Sequence, residues 1–131
     1  MNSTGAPVEF TGRLERASLA RELAGAAMLL MPSRYHEFAP YSALEAMAAG
    51  VPVIASCLGG LPEILGARRC VPPGDAAALA SRMTTLWESP ELRRTEGDDL
   101  IARARANHDE KRYAERLLNL YARVAGDARP S

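Results

Sequence analysis

The stretch that decides the fold is MPSRYHEFAPYSALEAMAAGVPVIAS, residues 31–56. Pro40 stands where a helix begins and Gly50 where one ends, so the residues 41–49 between them are predicted to form a helix. The residues that follow, Val51–Ala55, are apolar and mostly β-branched, which is typical of a buried strand in a parallel sheet. The stretch therefore predicts a loop, a helix and a strand, the second half of a βαβ unit.

The rest of the chain continues this alternation of strands and helices. We predict, in chain order, a strand at Val8–Thr11, a helix at Leu14–Ala27, a strand at Met28–Met31, a helical turn at Pro62–Leu65, a strand at Arg69–Val71 and helices from Asp75 to Trp87, Ser89 to Ala106 and Asp109 to Val124. The expected fold class is α/β: a Rossmann-like, three-layer α/β/α arrangement with a short parallel sheet and the C-terminal helices packed on it. Tyr and Leu side chains recur on one face of the last helix, and we expect that face to lie in the core.

Composition excludes several classes of function. The chain has 131 residues, the usual length of one domain, and a formal net charge of zero. A neutral chain with scattered arginines gives no electrostatic reason to expect a nucleic-acid partner. No apolar run is long enough for a transmembrane segment, and the N-terminus lacks the features of a signal peptide. We therefore expect a cytoplasmic location.

The two cysteines, Cys57 and Cys70, allow two interpretations. They form no CxxC pair and have no nearby histidine cluster, so we expect no metal site. A Cys57–Cys70 disulfide is one possibility, and a pair of buried thiols in a reducing cytosol is the favoured one.

Two carboxylates, Glu37 and Glu45, are the candidate functional residues. Glu37 precedes the predicted helix, whose N-terminal amides favour an anion such as phosphate, and carboxylates accept hydroxyl protons well. Glu45 lies among small apolar residues, where a lone carboxylate needs a partner or a cleft. Taken singly, each has a plainer interpretation: Glu37 as a solvated loop acid, and Glu45 as an exposed residue paired with Arg34 or another arginine.

Together these residues resemble the C-terminal domain of nucleotide-sugar-dependent glycosyltransferases of the GT-B fold, in the large retaining group called family 4. The resemblance is carried by the E-x7-E spacing of Glu37 and Glu45, by EAMAAGVPV at 45–53 and by GGLPE at 59–63. It extends from Val8 to about Tyr121. It differs at Ala39-Pro40, where the family often has Phe-Gly.

The resemblance implies a role for each of these positions. Glu37 would contact hydroxyls of the donor sugar as the catalytic residue, Glu45 would hold the ribose, and Gly59 and Gly60 would line the donor cleft. The donor sugar and diphosphate would face Glu37, Phe38, Ala39, Pro40, Tyr41 and Ser42. The implied reaction moves a sugar from a nucleotide-sugar donor to an acceptor with retention, without a metal ion or cofactor.

The resemblance also implies what surrounds this domain. Residues 1–131 would form a single, incomplete C-terminal domain with a core at 8–125, whose partner is a missing N-terminal glycosyltransferase domain or a second copy through self-association. The full enzyme would be cytoplasmic or membrane-peripheral. The alternatives are a non-catalytic nucleotide-binding or partner-dependent domain and a GT-B-like epimerase fragment.

Overall fold

Helices and strands alternate along this chain and then give way to three successive helices. The computed structural model describes residues 8–127. Within that range the elements are, in order, α1 (Arg16–Gly25), β1 (Leu29–Met31), α2 (Tyr41–Ala49), β2 (Val53–Ser56), α3 (Leu61–Leu65), a 3₁₀ turn (Ala67–Arg69), β3 (Cys70–Val71), α4 (Ala76–Glu88), α5 (Pro90–Asn107) and α6 (Glu110–Asp127).

The three strands form one parallel sheet with the order β1-β2-β3. Leu29 pairs with Val53 between the first two strands, and Ala55 pairs with Cys70 between the second two. All four residues of the central strand are buried, because helices cover both of its faces. This agrees with the predicted Rossmann-like α/β class.

Alternate residues of β2 serve the two faces of the sheet. Val53 and Ala55 belong to the hydrophobic core formed with α1, α2, α3 and α5. Ser56 points to the other side, where it lines a cavity together with Leu79 of α4. Period-two alternation therefore places helices on both sides of the sheet, as predicted.

Small residues bring α2 and α5 into close contact. Ala43, Ala46 and Met47 of α2 are fully buried. Gly97 of α5 lies against the backbone of Gly50, and a Cβ at position 97 would overlap the Gly50 carbonyl oxygen. The small-residue run of the sequence thus holds α2 between the sheet and a second helix.

A buried ion-pair network joins the 3₁₀ turn before β3 to α4 and α5. The Arg69 side chain is 1% exposed and donates to Glu96 at 2.5 Å, to the Leu65 carbonyl at 2.6 Å and to Asp99 at 2.8 Å. Arg82 of α4 reaches the other oxygen of Glu96 at 2.5 Å. The Glu96 carboxylate of α5 therefore links two guanidinium groups, that of Arg69 beside the sheet edge and that of Arg82 in α4.

Two sequence predictions are wrong for the described residues. Val8–Thr11 forms no strand, and Phe10 is 92% exposed, because no strand lies beside this segment to pair with it. The apolar face of α6 is not core: none of residues 110–126 is buried, and Tyr113, Tyr121 and Val124 are each about 60% exposed.

Candidate functional site

The loop from Pro32 to Pro40 connects the carboxyl end of β1 to α2, the place where ligands bind in open parallel sheets. Within it, the Ser33 hydroxyl donates to the Glu37 carboxylate, so the glutamate is held by its own loop. Glu37 is half-buried rather than fully solvated. Ser33 was not among the predicted site residues, although its place directly after the strand-ending Pro32 was the available signal.

The glycine pair lies directly against the Glu37 loop. The Gly60 amide donates to the Glu37 carbonyl at 2.8 Å. A Cβ at Gly59 would overlap the Glu37 carbonyl oxygen, and one at Gly60 would overlap the carbonyl oxygen of Phe38. Gly59 also has a φ of 56°, which side chains disfavour. The structure therefore brings the predicted residues Gly59 and Gly60 together with Glu37, as the backbone support of its loop.

The N-terminus of α2 offers two amides that bind no acceptor among the described residues. Pro40 is the N-cap, not the first helical residue, and its carbonyl accepts from the Ala43 amide at 3.1 Å. Among residues 8–127, no acceptor is bonded to the amides of Tyr41 and Ser42. These two N–H groups are free to bind an anion.

Glu45 is half-buried and faces α1. It lines a cavity of about 280 Å³ with Arg16, Leu19 and Leu23 of that helix. Within the described part of the chain, no hydrogen bond or ion pair reaches its carboxylate, so the plainer interpretation, an exposed glutamate paired with Arg34 or another arginine, is not seen. Glu37 is not among the residues that line this cavity. This cavity therefore does not include the Glu37 loop.

Exposed aromatic rings surround the Glu37 loop. Tyr35, Phe38 and Tyr41 are 82%, 91% and 81% exposed. Such a concentration of exposed apolar surface typically marks a binding region. Phe38 and Tyr41 were predicted site residues, whereas Tyr35 was missed although it lies two positions before Glu37.

A second cavity, of about 260 Å³, opens at the carboxyl ends of all three strands. Pro32, Ser56 and Val71 contribute the strand ends, and Arg34 adds a positive charge at its edge.

None of the helices between residues 8 and 127 is long and apolar enough to cross a membrane. No group of three or more potential metal-binding side chains occurs in the same range.

Comparison with known proteins agrees with this geometry. The family profile described as "Glycosyl transferases group 1" matches residues 2–89. The MMP alpha-(1->4)-mannosyltransferase of Mycolicibacterium hassiacum is 38% identical over 101 residues, which cover 74% of this chain and 24% of that protein. The sulfoquinovosyl transferase of Arabidopsis thaliana is 32% identical over 114 residues, covering 82% of this chain and 21% of that protein.

A solved structure supports the same assignment. Sucrose-phosphate synthase from Thermosynechococcus elongatus superposes with a TM-score of 0.81 at 32% identity, over 92% of this chain and 31% of that one. The chain thus spans between a fifth and a third of the length of these relatives. Its fold is that of a GT-B Rossmann-like C-terminal domain. By the family match over most of its length, the chain belongs to the group 1 glycosyl transferases.

Proposed function

We propose that this chain forms the donor-binding part of a glycosyltransferase that moves a sugar from a nucleotide-sugar donor to an acceptor with retention. The observation that carries the proposal is the junction of β1 and α2. There, Glu37 is held by Ser33 and by the Gly60 amide next to a helix end with two free N–H groups. This arrangement suits a sugar hydroxyl beside a diphosphate.

The helix end would receive the diphosphate. Aligned peptide dipoles place about half a positive charge at a helix N-terminus. The amides of Tyr41 and Ser42 would donate hydrogen bonds from this helix end to an oxyanion of the diphosphate. As the bond from the anomeric carbon to the diphosphate oxygen breaks, negative charge grows on the leaving group. The helix end then stabilises the transition state more than the ground state.

Glu37 would orient the donor sugar. Its carboxylate accepts hydroxyl protons, and each charge-assisted hydrogen bond contributes about 1.5–3 kcal/mol. In the transfer step the acceptor oxygen forms the new bond to the anomeric carbon, and the acceptor proton passes to the departing diphosphate oxygen. A negative side chain close to the sugar also stabilises positive charge that develops on the ring.

Glu45 would hold the ribose of the nucleotide. A half-buried carboxylate without a partner in the described structure is costly unless a ligand satisfies it, and a ribose diol offers two hydroxyl donors. The adjoining cavity against Leu19 and Leu23 gives an apolar wall beside that carboxylate.

Titration of a panel of nucleotide sugars into the chain tests the proposal. We expect at least one donor to bind and Glu45→Ala to weaken its binding about tenfold or more, since loss of one charged hydrogen bond is worth that much. Glu88→Ala, which removes an exposed carboxylate at the end of α4, is the matched control. Unchanged affinity in Glu45→Ala would refute the ribose assignment. We expect a chelator to leave the binding unchanged, because the proposed contacts need no metal.

A second candidate is a nucleotide-binding domain that has no turnover without a partner. The exposed apolar face of α6 favours it, because such a face normally packs on another surface. The partner would be an N-terminal glycosyltransferase domain or a second copy of this chain. Sugar transfer by the isolated chain would rule this candidate out, whereas transfer only after an N-terminal half is added would support it.

A further inference from the structure

Cys57 and Cys70 lie near each other where β2 ends beside β3. Cys70 in β3 pairs with Ala55 in β2, and Cys57 directly follows Ser56, the last residue of β2. The Cys57 amide donates to the Val71 carbonyl at 2.8 Å, which fixes the two segments side by side. Both cysteines are free thiols.

The two thiols differ in environment. Cys57 is exposed, whereas Cys70 is half-buried and packs against the core. Burial, and to a smaller extent the neighbouring Cys57, raises the pKa of the Cys70 thiol to about 11. Cys57 is therefore the thiol that a reagent in solution meets first, and Cys70 is the protected thiol next to it.

The loop that starts at Cys57 also supports the site. Gly59 and Gly60 follow after one residue, and the Gly60 amide holds the Glu37 carbonyl. A disulfide brings its two sulfur atoms to about 2.05 Å, closer than two unbonded thiols can lie. Because Cys70 is held in β3, closing a disulfide draws Cys57 and the loop that it starts toward β3.

We propose that Cys57 and Cys70 form a redox-sensitive thiol pair, which a low-molecular-weight disulfide converts into an intramolecular disulfide that displaces the Gly59-Gly60 loop. The Cys57 thiolate attacks one sulfur of the small disulfide and releases the first small thiol. The Cys70 thiolate then attacks the Cys57 sulfur and releases the second. The small disulfide is reduced to two thiols, the protein gains one S–S bond, and the two cysteine protons go to the released thiolates.

Mass spectrometry of the chain treated with oxidised glutathione tests the first part. We expect the wild-type chain to lose two hydrogen atoms and to retain no glutathione. A non-reducing tryptic digest should link the peptide Tyr35–Arg68 to the peptide Cys70–Arg82. Cys70→Ala should instead accumulate one glutathione on Cys57, and Cys57→Ser should form neither product. A stable glutathione adduct on wild-type Cys57, or only disulfides between chains, would overturn the proposal.

Hydrogen exchange tests the second part without any sugar donor, so its result is independent of the proposed function. We expect oxidation to accelerate exchange of the Gly60 amide several-fold in the wild-type chain and a reducing agent to restore it. Cys57→Ser, treated in the same way, should show no change. A disulfide that forms while the Gly60 amide keeps its exchange rate would overturn the displacement of the loop. Thermal unfolding of the reduced variants establishes that each one folds.

Discussion

At the scale of single residues, Gly60 is the position where one added methyl group should matter most. Its φ is ordinary, so the constraint is purely steric: a Cβ would overlap the Phe38 carbonyl oxygen. We expect Gly60→Ala to lower the free energy of unfolding by about 1–3 kcal/mol, the usual cost of overpacking. Urea unfolding measures this change.

Gly126→Ala is the control for that substitution. Gly126 is an exposed helical glycine with open space around a built Cβ, so alanine there should be neutral or stabilising by about 0.5–1 kcal/mol. Equal effects of the two substitutions would mean that the glycine pair does not position the Glu37 loop.

Ser33 gives a second prediction at this scale. Its hydroxyl donates to the Glu37 carboxylate, and a hydrogen bond to a charged group is worth about 1.5–3 kcal/mol. We expect Ser33→Ala to weaken donor binding about tenfold, which corresponds to the low end of that range, while unfolding changes little, because the loop is half exposed. Calorimetric titration measures the affinity. Ser81→Ala, on the exposed side of α4, should leave this affinity unchanged. If Ser33→Ala binds the donor as tightly as the wild-type chain does, Glu37 needs no hydrogen-bond donor to orient it.

At the scale of elements, the sequence predicts best those helices whose ends carry local signals. The predicted helix 41–49 matches α2 because Pro40 and Gly50 bound it on both sides. The α5 helix begins at Pro90, where Ser89 caps the Leu92 amide at 3.2 Å. Strand pairing is not local, and so the segment Val8–Thr11 looked like a strand although nothing in the described structure pairs with it.

The Arg69–Glu96 pair shows what local patterns cannot reveal, since its two residues come from elements 27 positions apart. Removing Glu96 would leave the buried Arg69 guanidinium without its main counter-ion. We expect Glu96→Leu to cost about 3–5 kcal/mol of unfolding free energy, measured by urea denaturation. Asp98 is exposed and lies on the opposite face of α5, so Asp98→Ala should change the free energy of unfolding by no more than about 0.5 kcal/mol. A small effect of Glu96→Leu would mean that water reaches this network.

Asp99 gives the same network a pH dependence. A hydrogen bond from Arg69, together with the charges of Arg69, Arg68 and Arg103, lowers the pKa of Asp99 despite partial desolvation. Since the folded pKa lies below the unfolded one, the stabilisation is present above the unfolded pKa and is lost as the pH falls through the folded pKa.

We therefore expect Asp99→Asn to lower the melting temperature at neutral pH. The difference from wild type should shrink in acid below the ordinary aspartate pKa of about 3.9. Melting curves of both proteins across this range measure it. A difference that stays constant with pH would show that the charge of Asp99 does not contribute.

At the scale of the whole molecule, the sequence located the candidate site but not its shape. The loop before α2 and the glycine pair were identified because turn residues and carboxylates stand out in an apolar stretch. That Gly60 supports the Glu37 backbone, and that Glu45 lines a cavity with α1 that Glu37 does not line, depends on how β1, β2 and α1 pack. Such contacts between distant segments leave no periodic signal in the chain.

The last prediction concerns the α6 helix, because its exposed apolar face should favour association between molecules. Tyr113, Leu120, Tyr121 and Val124 recur at helical spacing on one side and are 45–61% exposed. Burying such a stripe against a second copy removes apolar surface from water at about 25 cal/mol per Å². We expect the chain to self-associate as its concentration rises, measured by sedimentation velocity.

A double substitution on that face isolates the cause. Tyr121→Glu with Val124→Glu places two charges in the stripe, so association should be lost. The melting temperature should stay close to that of wild type, since none of residues 110–126 of α6 is buried. Asn119→Glu, on the opposite side of the same helix, should leave association intact. If the wild-type chain sediments as a single monomeric species at every concentration, self-association is contradicted. The stripe would then pack against a different surface or remain exposed to water.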